Sequence, residues 1–257
     1  MDPICDDLEA ETAALREIVE ALTEEQWRLP TPAEGWDTHE TVIHLGTTDY
    51  AARVAVLDAA GFDELKRQMA EGAGDLHALG GDVHSMSGSE LWAWFEDERR
   101  QMIDAFRALG PKDRIPWFGP DMSALSFATA RLMETWSHSH DVADTFGRPY
   151  PQSDRLRHVA HIGVTTRGWS YVNRGKAVPE APVRVELTAP SGDIWTWGPD
   201  DAADIVRGDA YQFCMLVTQR RHHSEVDLDL TGDLAREWIE IAQAFAGPPT
   251  DTPSGRA

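Results

Sequence analysis

Apolar residues recur at helical spacing through the first 150 positions. Ile4, Leu8, Leu15, Ile18 and Leu22 repeat every three to seven residues behind Asp2, an N-cap candidate, and Pro3, a first-turn proline. This predicts one amphipathic helix running until Pro30 and Pro32 interrupt it. After the turn TPAEGW, Asp37 and Glu40 have the separation of a capping box and open a second helix that runs to about Gly61. Ser87 and Glu90 repeat the device ahead of LWAWFEDERRQMIDAFRAL. A fourth start falls at Asp121, and the lack of Gly or Pro from there to Gly147 predicts one long helix. Four helices of about 20 residues each predict a four-helix bundle, with the stretch 62–86, a short helical piece followed by glycines, as a long crossover or mobile loop.

The periodicity changes in the last third. One more helix is expected over 153–173. Beyond Gly175, Val183, Val185 and Leu187 alternate with polar residues, Pro190-Ser191-Gly192-Asp193 turns the chain, and Ile194 to Trp197 continues extended, which reads as a β-hairpin. Helical segments over 208–220 and 233–245 flank a strand over 226–230. The expected fold class is therefore α+β: a helical bundle with an additional helix over 1–175, a small α+β domain over 176–247, and a Pro/Gly-rich flexible tail over 248–257.

Charge narrows the function. Forty-four acidic residues against 23 basic ones give a formal net charge of −21, a surface that repels nucleic-acid phosphates. No apolar run approaches the roughly 18 residues needed to cross a bilayer, and the acidic start MDPICDDLEAE does not have the basic-then-apolar pattern of a signal peptide. These readings predict a cytoplasmic protein, monomeric or homodimeric, with small-molecule rather than nucleic-acid or membrane partners. Cys5 and Cys214 are far apart, outside any metal-ligand spacing, and read as reduced, buried thiols.

The segment RLMETWSHSHD, residues 131–141, carries the strongest chemical signal. On a helix, Glu134, His138 and Asp141 are four and three apart and share one face, which Phe127 and Ala130 continue, while His140 points away. A carboxylate and an imidazole one turn apart suit a divalent ion but need a further ligand from elsewhere; the same spacing also describes a solvated helix face. His44, in the middle of the second helix between Ile43 and Leu45, is either that ligand or a hydrogen-bonded core histidine. Asp141 is either a hydrogen-bond acceptor that orients a ligand histidine or a solvated aspartate. Asp49 lies about 140° around the helix from His44 and serves another face. His158 and His161 read as a surface pair, and Trp36, Trp136 and Trp169 as interhelical packing or, secondarily, the lining of a substrate cleft. No GxxxxGK[ST], GxGxxG after a strand, GxSxG or HExxH occurs, so phosphate-loop, dinucleotide, serine-hydrolase and zincin readings lack their signatures.

Two separated segments share a further resemblance. TPAEGWDTHETVIHL and RLMETWSHSHDVADTFGRP resemble the metal-binding bundle of mycothiol-dependent maleylpyruvate isomerases, within the DinB/YfiT superfamily. The resemblance covers most of residues 1–150 and implies that His44, Glu134 and His138 hold a divalent metal, usually zinc. The second domain resembles the C-terminal part of the same family and, more loosely, the wyosine-base-formation type of α+β domain. There, a Trp-Leu-x-Gly-Arg motif supplies a substrate-facing arginine. Here the stretch reads Leu216-Val217-Thr218-Gln219-Arg220, without the tryptophan and glycine, so Arg220 takes the role with Arg221 as its competitor. A basic last turn complementing the helix dipole is the other reading, and it suits His222 and His223 as well.

Three protein ligands leave a coordination position open, as in catalytic rather than structural zinc sites. The resemblance then implies mycothiol, or another small thiol, as co-substrate, its thiolate adding to an electrophilic double bond. Addition, rotation and elimination would make an isomerase; stopping after addition or displacement would make an S-transferase. A non-catalytic binding protein with a structural metal or none, and a metal-dependent hydrolase, are the alternatives.

Overall fold

The computed structural model describes residues 1–71 and 82–249, which contain no helix long and apolar enough to cross a membrane. The chain divides into two compact units, Met1–Tyr150 and Pro151 onward. The segment expected to extend the bundle to residue 175 is thus grouped with the second unit.

Four long helices build the first unit: α1 (Asp2–Val19), α3 (Thr38–Leu57), α5 (Gly88–Arg107) and α6 (Ala124–Thr145). Each of α1 and α3 packs against both α5 and α6, the closed arrangement of a four-helix bundle. Helix α3 buries residues around nearly its whole circumference, including Val42, Ile43, Leu45, Ala51 and Ala52. Such a helix is held by packing rather than by a single amphipathic stripe. Fully buried Leu8, Leu15, Phe95, Phe106 and Leu132 fill the space between helices, each contributing roughly 1.5–3 kcal/mol by leaving water.

Several boundaries differ from those expected. The first helix ends at Val19 rather than reaching Pro30, because Thr23 and Gln26 form a reciprocal capping box that starts the short α2 (Glu24–Trp27). Met1, not Asp2, is the N-cap of α1. Helix α3 stops at Leu57, and α4 (Ala59–Glu71) follows, starting earlier than the short helical piece expected there; the glycine-rich stretch after it, 72–81, lies outside the described residues. The fourth long helix opens at Ser123, whose hydroxyl accepts from the Ser126 amide, not at Asp121. Before it, β1 (Arg114–Ile115) pairs with β2 (Met122–Ser123). The Ser87 and Glu90 box is present as read.

The second unit begins with α7 (Leu156–Thr165) and α8 (Arg167–Val172), two helices where one was expected. Its sheet has the order β4-β3-β5-β6. The hairpin of β3 (Val183–Thr188) and β4 (Ile194–Trp197) occurs as read, with Thr188 opposite Ile194 and Gly192 at φ 91° supplying the turn. The segment from Gly208 is not wholly helical: β5 (Asp204–Asp209) pairs parallel to β3, and α9 (Ala210–Val217) starts only after Asp209 caps it. Strand β6 (Leu228–Thr231) and helix α10 (Asp233–Ile241) complete the unit. Asp204 on β5 accepts from the amides of Leu234 and Ala235, so the sheet itself caps α10.

Candidate metal centre

Helices α3 and α6 bring three side chains to one point inside the bundle. Nε2 of His44 lies 3.3 Å from Oε2 of Glu134, and Nε2 of His138 lies 3.5 Å from the same oxygen. One donor atom from each residue falls within 4.8 Å of the others. Two ligands about 2.0–2.1 Å from a tetrahedral ion stand about 3.3 Å apart, close to both measured separations. The side chains retain partial exposure, 17% for His44, 26% for Glu134 and 11% for His138, so the cluster is reachable from solvent.

Protonation in the cluster suits cation binding. Burial pushes the His44 imidazole down to about 4, against the opposing pull of Glu134, so this ring is neutral at pH 7. Burial acts to raise Glu134, but hydrogen bonding to His138 and His44 outweighs it and holds the carboxyl well below its usual range. A neutral imidazole and an ionised carboxylate are the forms that donate electron pairs to a metal. On this donor set, the residues fit a divalent ion of the zinc type.

Two further groups surround the triad. Asp141 Oδ2 lies 3.0 Å from His138 Nδ1, which leaves Nε2 directed at Glu134; Asp141 is buried, not solvated. Trp36, in the turn before α3, lays its ring against both imidazoles, with centroids 4.8 Å from His44 and 5.4 Å from His138. It walls the cluster, in line with the secondary reading of this residue as cleft lining. Gly35 makes this possible by turning the chain at φ 81°.

The other singled-out residues have local partners of their own. His140 points away from the cluster, with Nδ1 2.8 Å from the Trp136 carbonyl and its ring against Trp136 and Tyr150. Trp136 is buried, whereas Trp169 is 39% exposed and donates to the Phe245 carbonyl. His161 accepts from the Trp197 indole. Cys5 and Cys214 are buried free thiols, both with pKa raised by burial. Arg220 belongs to the second unit, just beyond α9, where its guanidinium donates to the Thr218 carbonyl; the neighbouring Gln219 adopts φ 59°. His222 caps a short 3-10 turn, His223–Glu225, by accepting from the Ser224 amide.

A second group of possible donors, Asp37, His39 and Glu40, sits at the start of α3. Asp37 already accepts from the Glu40 amide at 2.7 Å and faces Arg28 at 3.7 Å, and the helix N-terminus opposes a cation. It is the poorer cation site of the two. Sequence spacing did not bring out the ionic cluster next to the triad: Asp49, sent by the helical count to another face, is fully buried between Arg99 and Arg131. Only Arg131, between Ala130 and Leu132, carried a local signal; Asp49 lies between Thr48 and Tyr50 and Arg99 between Glu98 and Arg100, neighbours that give no hint of burial.

Comparison with known proteins places the fold and the family. The family model described as the mycothiol maleylpyruvate isomerase N-terminal domain matches residues 8–143, and the one described as wyosine base formation matches 179–231. Proteins from two strains of Mycobacterium tuberculosis, both named as uncharacterized, are 44% identical over 248 residues, covering 96% of each chain. Among solved structures, the mycothiol-dependent maleylpyruvate isomerase superposes with a TM-score of 0.56 at 14% identity, covering 85% of this chain and 89% of that one. A mutant of that enzyme gives 0.55 at 13%. At those identities the likeness is one of fold. The match of the first model to more than half the chain, over the residues that carry the bundle and its His-Glu-His cluster, means that the protein belongs to the mycothiol maleylpyruvate isomerase N-terminal domain family.

Proposed function

We propose that this protein is a divalent-metal-dependent enzyme that uses a low-molecular-weight thiol of the mycothiol type on a small electrophilic acid, by thiol-assisted isomerisation or by S-transfer. The observation that carries the reading is the convergence of His44, Glu134 and His138, with donor separations of 3.3 and 3.5 Å. Membership of the family, and the likeness in fold to a mycothiol-dependent maleylpyruvate isomerase, support the choice of thiol and substrate class.

A divalent ion held by these residues would ionise a thiol near neutral pH, giving a sulfur nucleophile that no protein cysteine has to provide. Both cysteines of this chain are buried, which agrees with an external thiol. His44 stays neutral and Glu134 ionised, so the proton released by the thiol passes to the solvent that reaches the cluster. Asp141 keeps the His138 ring in one orientation, and the Trp36 ring shields one side of the cluster from water.

In the isomerase reading, sulfur bonds to one alkene carbon and the π pair moves to the substrate's carbonyl-conjugated side. Rotation about the new single bond and expulsion of the thiolate then return the thiol unchanged and the substrate as its geometric isomer. We assign the substrate's carboxylate to Arg220, whose planar fork suits a bidentate acid.

The test is metal content followed by turnover. Purified protein should contain about one equivalent of divalent metal, lost in His44→Ala, and should convert maleyl-type acids only when mycothiol is added. Thiol-independent cleavage would favour the hydrolase; no metal and no effect of His44→Ala would favour the binding protein.

A further inference from the structure

Between α3, α5 and α6 lies a buried ionic cluster one step from the triad. Asp49 is fully buried and accepts from Nε of Arg99 at 2.5 Å through one oxygen and from Nε of Arg131 at 3.0 Å through the other. Arg99 and Arg131 are only 2% and 3% exposed. Arg131 also donates to the Leu45 carbonyl at 3.3 Å, and Arg99 to the hydroxyl of Thr135 at 2.9 Å and of Thr12 at 2.8 Å. Leu45 directly follows His44, and Thr135 directly follows Glu134.

A buried carboxylate between two guanidiniums is costly to desolvate, and hydrophobic residues of equal volume commonly stabilise a core as well or better. The device is better explained by registry: each donor has one direction, so the hydrogen bonds permit one axial and rotational setting of the helices, which greasy contacts do not impose. Here the pinned points are the immediate neighbours of two of the three cluster residues. By contrast, Arg53 and Glu98 join α3 to α5 through two hydrogen bonds of 3.0 and 3.2 Å, nine residues beyond His44 and touching neither neighbour.

We propose that Asp49, with Arg99 and Arg131, is a positioning residue for the His44, Glu134 and His138 cluster, setting the offset of α3 against α6 that brings His44 to Glu134. Its consequence for metal affinity rests on the functional reading above; its consequence for the imidazoles does not. Asp49→Asn weakens one acceptor between two buried guanidiniums, and Thr135→Val removes the Arg99 acceptor beside Glu134 with little change of volume.

The experiment uses the full chain in two arms, with Glu98→Gln as the control for loss of an interhelical ion pair. In metal-free protein, imidazole nitrogen resonances are recorded by two-dimensional NMR. The His44 ring signals should move in Asp49→Asn and Thr135→Val and stay in place in Glu98→Gln, even where Glu98→Gln lowers Tm equally. Unmoved His44 signals in folded Asp49→Asn and Thr135→Val would overturn the proposal. In the second arm, competition with a chromogenic chelator for added Zn²⁺ should show affinity falling roughly 10–100-fold in Asp49→Asn and not in Glu98→Gln, with altered visible bands of the Co²⁺-loaded protein. Equal affinity in all variants would also count against it. A wild type that binds neither ion while its imidazole signals respond as stated retires the metal reading and leaves the positioning role standing. Where Asp49→Asn does not fold, Thr135→Val alone decides.

Discussion

Nδ1 of His138 lies 3.0 Å from Oδ2 of Asp141, one turn further along α6. A carboxylate can only accept, so Nδ1 bears a hydrogen, and Nε2 is presented to the oxygen of Glu134 that His44 also approaches. Asp141→Asn should therefore allow the other tautomer and weaken metal affinity roughly 10–100-fold, with the helix content unchanged. Isothermal titration of metal-free protein with Zn²⁺ measures this directly; an unaltered Kd would remove Asp141 from the orienting role.

Trp36 stands against both imidazoles of the cluster. Adding Co²⁺ to metal-free protein should quench its fluorescence more than that of the other tryptophans, of which the chain has nine besides Trp36 (ten in all). In Trp36→Phe most of the quench should vanish while Co²⁺ still binds. A quench of the same size in the variant would mean that the ion sits elsewhere.

His39 is fully buried, with Nε2 3.0 Å from the Met86 carbonyl. Burial lowers its pKa, against the opposing pull of that carbonyl. The unfolded chain therefore takes up the proton first as pH falls below the ordinary histidine value, and folding stability drops until the folded pKa is reached. His39→Gln retains a donor for Met86 but does not titrate. The Tm of wild type should fall more than that of His39→Gln between pH 7.5 and pH 5, and parallel curves would contradict the assignment.

In the second unit, α7 meets α9 at Gly163. A methyl group there would come within 2.7 Å of Val217 Cγ2 and 3.1 Å of Phe213 Cε1, both on buried side chains. Gly163→Ala should destabilise by about 1–3 kcal/mol through overpacking, outweighing the better helix propensity of alanine. Chemical denaturation followed by circular dichroism reads the change, and a midpoint equal to or above wild type would show that α7 has room to shift.

Arg220 is assigned to the substrate's carboxylate. Replacing it by Gln should cost about 1.5–3 kcal/mol of a charged hydrogen bond, equivalent to roughly a 10–100-fold rise in KM for a carboxylate substrate. Metal affinity should not change. Should Arg221→Gln raise KM and Arg220→Gln leave it alone, the assignment passes to the neighbour.

Much of the bundle was legible because helix signals are local. Ser87 with Glu90 and the Glu134–His138–Asp141 spacing depend only on residues within one or two turns. Thr23 with Gln26 was equally local, yet with no Gly or Pro between Ile4 and Leu29 to mark a break the first helix was drawn too long. Strand β5 was lost for a different reason: Asp204–Asp209 lies between β3 and β6 and draws its hydrogen bonds from strands distant in sequence, so it has little alternation of its own. Trp169 was assigned to packing on the strength of its size alone, although a single bulky residue carries no information about which neighbour covers it.

The chain by itself determined the four long helical stretches, the β-hairpin, the acidic composition, and the one helical face on which Glu134, His138 and Asp141 stand. These follow from hydrophobic period and from contacts between residues at most four apart. Tertiary structure decided which distant histidine joins that face, that Trp36 covers it, and that Asp49 is clamped between Arg99 and Arg131 inside the bundle. Helical phase tells which way a side chain leaves its own axis, but the axial offset and rotation of one helix against another come from packing and buried hydrogen bonds summed over the whole core.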